Sequence, residues 1–85
     1  EMIASKKLQL DILKYLRNVY KESPLKNVRG SELTDYFNID DDTFKVTLRF
    51  LKDMGLINVM SSDYARGAMV RITEKGMSEI EDIQK

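Results

Sequence analysis

The 85-residue chain has no cysteine and no histidine. The first absence excludes disulfides, thiolate metal sites and cysteine nucleophiles. The second removes the commonest general base and the commonest metal ligand together. No phosphate-cradling glycine loop is present either. The carboxylates Glu79, Glu81 and Asp82 fall on a short terminal segment with no cleft-building elements beside it. The expectation is a protein that is not an enzyme and that needs no cofactor and no metal.

Long apolar runs are missing too. Nothing approaches the roughly 20 residues a membrane-spanning helix needs, and no signal-peptide pattern opens the chain, so the expected compartment is cytoplasmic, with no membrane partner. Glu1 ahead of Met2 fits either a tag remnant or a piece of a longer protein. There is no surplus of charge: 14 Lys and Arg stand against 14 Asp and Glu. Distribution is more telling than the total. Residues 1–30 carry a balance of +4, residues 31–56 of −3 and residues 57–85 of −1.

What is present reads as one small domain over residues 1–85, because a chain of this length has core for a single unit. Leu8, Ile12, Leu16 and Val19 recur near helical spacing, so an amphipathic helix is predicted over about 4–22, capped by Ser5 and stopped by Pro24, the only proline. Leu25 to Arg29 is a connector able to pair as a short strand. Ser31 is expected to cap a second helix over about 32–37, and Asn38 to take the left-handed turn after it.

Asp40 or Asp41 caps a third helix over about 41–54, in which Phe44, Leu48 and Leu51 form the buried face and Gly55 the stop. Residues 56–73 hold two β-prone stretches around a turn-rich loop with Gly67, which is a hairpin. A last helix over about 74–84 places Met77, Ile80 and Ile83 on one side.

From Glu32 the run ELTDYFNIDDDTFKVTLRFLKDMGLI opens a short helix in Glu-Leu and puts Asn38 where a turn glycine commonly stands. Asp40 occupies the cap, and the run closes on Leu-x-x-x-Gly-Leu-Ile. Further on, RITEKGMSEI supplies a strand followed by a Thr-Glu-Lys-Gly helix start. In this the chain resembles the winged helix-turn-helix domains of small prokaryotic transcriptional regulators, over roughly Leu8 to Ile83. The resemblance implies an α+β, mostly helical fold: a three-helix core, a two-stranded β-hairpin wing and a C-terminal helix.

It also implies sequence-specific binding of double-stranded DNA, with the third helix in the major groove and the wing on the adjacent backbone or minor groove. The residues so implicated are Thr43, Lys45, Val46 and Arg49 on the third helix, with Tyr64 and Arg66 in the wing. Arg66 stands where such proteins often carry a basic residue near the wing tip. A homodimer through the first helix, the C-terminal helix or both is expected, because two half-sites multiply a weak single contact. Tyr15, Tyr20, Ile80 and Ile83 are the candidates for that surface.

Two features leave another reading open. Asp40, Asp41 and Asp42 suit a helix start, where acids complement the dipole, yet they would repel phosphates. Val46 and Phe50 lie away from Leu48 and Leu51. Phe50 is expected to tuck against the first helix or the hairpin; if both are exposed, they form an apolar strip suited to a protein partner or to thymine methyls. The alternative is therefore a winged-helix module for protein–protein contact. The most basic region, from Lys6 to Arg29, reads either as solvated helix charge or as a source of phosphate contacts, with Lys14, Arg17 and Lys21 on one helix face.

Overall fold

The computed structural model describes residues 5–60 and 66–83, the last by its backbone only. Seven elements follow in chain order: α1 (Lys6–Glu22), β1 (Val28–Arg29), α2 (Gly30–Phe37), α3 (Asp41–Asp53), β2 (Ile57–Val59), β3 (Met69–Ile72) and α4 (Glu74–Ile83). The fold is α+β and mostly helical, a winged helix with the three strands in one small antiparallel sheet.

α1 starts where Ser5 accepts a hydrogen bond from the Leu8 N–H at 3.0 Å, and it ends at Ser23, directly before Pro24. Its stripe of Ile12, Leu13 and Leu16 is buried and forms the floor of the core. α3, β3 and α4 all pack on this helix. Val28, Leu33, Phe44, Leu48, Leu51, Leu56, Ile57, Ala68, Val70, Ile72 and Ile80 complete the core. Ile80 is completely buried. It belongs to the domain's own interior and cannot serve the dimer surface expected from sequence; the Ile83 side chain lies outside the described residues.

The sheet order is β1-β3-β2, so the last strand in sequence is the central one. Val28 and Arg29 pair with Val70 and Met69 on one side of β3. Ile57, Asn58 and Val59 pair with Ile72, Arg71 and Val70 on the other. The wing is thus tied to the connector after α1 as well as to itself.

α2 begins two residues before the sequence places it, and Ser31 does not cap it. The N-cap is Arg29, which makes no side-chain capping bond. Backbone carbonyls from the wing do that work: Gly30 N–H donates to Ala68 O at 2.7 Å and Ser31 N–H to Arg66 O at 2.8 Å. Helix-start N–H groups must find acceptors somewhere, and here the acceptors come from the continuation of β3. At the other end Asn38 takes the left-handed conformation at φ 52° and turns the chain toward α3.

The end of α3 and the start of α4 are built together. Gly55, at φ 77°, lets its N–H reach Lys52 O and the Leu56 N–H reach Leu51 O. Three further carbonyls there accept from the other segment. Met54 O takes the Lys75 ammonium at 2.9 Å, Gly55 O the Thr73 hydroxyl at 2.7 Å, and Leu56 O the Thr73 N–H at 3.1 Å. Thr73 in turn caps α4 by accepting from the Gly76 N–H at 3.0 Å. A Cβ on Gly76 would run into the Leu56 carbonyl oxygen and come within 2.7 Å of the Ile72 side chain. The Gly-Leu-Ile and Thr-Glu-Lys-Gly motifs are therefore two halves of one joint.

Candidate nucleic-acid interface

α3 is fixed from one side only. Phe44, Thr47, Leu48 and Leu51 are buried, and the Thr47 hydroxyl, with no water to bond, donates to Thr43 O at 2.7 Å. The opposite side carries Asp42, Lys45, Arg49, Phe50 and Asp53, all exposed, with Val46 partly covered. A 13-residue helix held in this way projects one continuous surface.

The start of that helix explains the aspartates. Asp40 is the N-cap, accepting from the Thr43 N–H at 2.8 Å. Hydrogen bonds from the Thr43 side chain and then its backbone N–H hold the Asp40 carboxyl below the usual aspartate range. Asp41 and Asp42 occupy the first turn and Lys52 the last, the arrangement that complements the helix dipole. Thr43, put forward from sequence as an outward contact, is partly buried and tied to this cap.

Of the sequence-predicted site residues, Lys45, Val46 and Arg49 share the outward side of α3, and Lys45 and Arg49 are both exposed. Tyr64 lies outside the described residues. Arg66 opens the returning stem of the wing, and its guanidinium reaches α2, donating to Thr34 Oγ1 and to Asp35 Oδ1 at 3.1 Å each. Phe50 also departs from expectation. It is 46% exposed, while the neighbouring Leu51 and Leu48 fill the buried side.

α1 contributes charge at its exposed face, but Lys7 is paired with Asp11 at 2.7 Å. Lys6, Lys21, Lys26 and Arg29 are exposed, whereas Lys14 and Arg17 are partly covered. Among the described residues no cluster of three His, Cys, Asp or Glu side chains could hold a metal ion, and no helix is long and apolar enough to cross a membrane.

The α1–α2 face carries a feature that sequence spacing alone did not bring together. The rings of Tyr15, Tyr36 and Phe37 meet with centroids 4.8–5.9 Å apart in tilted and edge-on contacts. The Tyr15 hydroxyl donates to the Glu32 carboxylate. That bond, with partial burial and the Glu32 charge, pushes the phenol up to about 12. Tyr36 is 67% exposed and stands between two shallow grooves of about 540 and 280 Å³ along α1. Tyr15, a candidate for the dimer surface, is thereby engaged within its own chain.

Compared with known protein families, residues 5–65 match the one described as the winged helix-turn-helix transcription repressor, HrcA DNA-binding. That is most of the chain. Comparison with curated proteins and with solved structures returns no match.

Proposed function

Because the chain belongs to this HrcA family of winged helix-turn-helix DNA-binding domains, we propose that it regulates transcription by laying α3 in the major groove of double-stranded DNA. The family is one of DNA-binding repressor domains and not an enzyme class. The observation that carries the reading is the one-sided burial of α3, which leaves Lys45, Val46 and Arg49 outward on a rigidly held helix. Lys45 and Arg49 suit phosphate or guanine edges, and Val46 suits a thymine methyl. Asp40, Asp41 and Asp42 serve the helix start, which directs cationic contact to the middle of α3. The wing, including Tyr64 in its loop, lies along the adjacent backbone or minor groove.

With Lys45, Arg49 and Lys52 offset by Asp42 and Asp53 on the exposed part of α3, a single domain binds weakly, and a homodimer spanning two half-sites supplies the affinity. With Ile80 buried, the dimer contact uses α1, the exposed side of α4, or both. The test is a titration of duplex binding against salt. Affinity should fall steeply with salt through counterion release, and Lys45→Ala or Arg49→Ala should weaken it. No binding to any duplex at low salt sinks the reading.

One observation favours a second reading. Phe50 on α3 and Met54 at its C-cap, four residues apart, are both exposed. Such a strip also suits an apolar protein surface. In that case Phe50→Ala abolishes partner binding while Lys45→Ala leaves it unchanged.

A further inference from the structure

Arg66, among the described residues of the wing stem, is bonded to the helix-turn-helix through both its backbone and its side chain. Its carbonyl accepts the Ser31 N–H at 2.8 Å, next to the Gly30 N–H bond to Ala68 O. Its side chain spans two successive residues of α2, one Nη on the Thr34 hydroxyl and the other on the Asp35 carboxylate. Thr34 is 2% exposed and its hydroxyl also donates to Ser31 O at 3.1 Å, so one of the two anchor points is itself immobile. On the far side of residues 61–65, the Met60 N–H is bonded to Met69 O at 2.8 Å. The wing loop therefore departs from two fixed positions, and Arg66 is one of them.

We propose that Arg66 is a positioning residue. It holds the wing stem on α2, so that wing and α3 present themselves to one duplex in a fixed relation, and it is not itself a phosphate contact. This rests on the DNA-binding reading above. The chemistry selects arginine: a planar fork with two donors can bridge a hydroxyl and a carboxylate on adjacent residues, whereas a lysine ammonium is a single point of charge. The ion pair is exposed on both sides, so its contribution to folding is small. Its consequence is orientation, which only binding reads out.

The experiment measures affinity of the whole chain for a labelled random-sequence duplex across a salt series, for wild type, Arg66→Lys, Arg66→Ala and Asp35→Ala, with Lys45→Ala as the reference for a direct contact. Arg66→Lys and Arg66→Ala should both lose roughly three- to tenfold, with the slope of log affinity against log salt unchanged. Lys45→Ala should flatten that slope by about one. The decisive sign belongs to Asp35→Ala. Removing a negative charge ought to tighten binding to a polyanion, but loss of the anchor should weaken it, with little change in the thermal midpoint. Tighter binding by Asp35→Ala, or wild-type affinity in Arg66→Lys with a flattened slope in Arg66→Ala, overturns the proposal and makes Arg66 a phosphate contact. Absence of binding by the wild type overturns the DNA reading itself, and shows before any variant is compared.

Discussion

Asn38 carries the sharpest local constraint in the chain, as the one non-glycine residue with positive φ among the described residues. A side chain with a Cβ costs about 1–2 kcal/mol there, and asparagine tolerates the position better than a β-branched residue. Asn38→Val should therefore destabilise by at least that amount in urea unfolding, while Asn38→Gly should be neutral or stabilising. Equal effects of the two would show that the turn is not what limits this position. Two titrations act at the same scale. The Tyr15 phenol is raised, so the stability it adds is present below its ordinary value near 10 and is lost as pH climbs toward about 12. Tyrosinate absorbance of the native protein should show one late-titrating tyrosine that disappears in Tyr15→Phe. Asp40 is lowered, so its contribution is present above the ordinary aspartate value and fades as pH falls through the folded one. Asp40→Ala should lower stability at neutral pH through loss of the cap and flatten the acid limb of the stability profile.

Among elements, α3 and its flanks were the most legible in the sequence. Helical spacing of Phe44, Leu48 and Leu51, an aspartate at the cap, Asn38 before it and Gly55 after it are all local signals, and local signals survive in one dimension. What the sequence hid was supplied from far along the chain. The acceptors that start α2 are carbonyls of Arg66 and Ala68, so Ser31 was a reasonable cap that the fold did not need. Nothing in the sequence shows that Thr34 and Asp35 lie beneath Arg66. Phe50 has the residue type of a core position but not the helical phase of one. The joint between α3 and α4 gives a test at this scale. Gly76→Ala should cost about 2–3 kcal/mol by driving a methyl into the Leu56 carbonyl and Ile72. Gly55→Ala meets only the Lys75 chain at ordinary distance and should cost about 1–2 kcal/mol, from backbone strain alone. Reversal of that order in thermal denaturation would mean the joint is looser than its hydrogen bonds describe.

For the molecule as a whole, zero net charge means that DNA attraction has to come from where charges sit and not from their sum. The affinity of the isolated domain should therefore be more sensitive to added salt than its solubility or stability is. The family match ends at residue 65, but the packing does not. A fragment ending there lacks β3, and β1 and β2 pair with β3 and not with each other. It also lacks Val70, Ile72 and Ile80 from the core. Such a fragment should show no cooperative unfolding transition by circular dichroism, whereas the 85-residue chain should.

The strand order has a consequence in time as well as in space. During synthesis β1 and β2 emerge first and have no partner until the residues of β3 arrive. Val28 must wait for Val70, and the helix that would read DNA is not locked at its end until Thr73 and Lys75 are made. The nascent chain can thus form α1, α2 and α3 early, as local structures, but acquires its sheet in a late, single closing event. A domain built this way completes its packing only once β3 has been made and can pair with both β1 and β2.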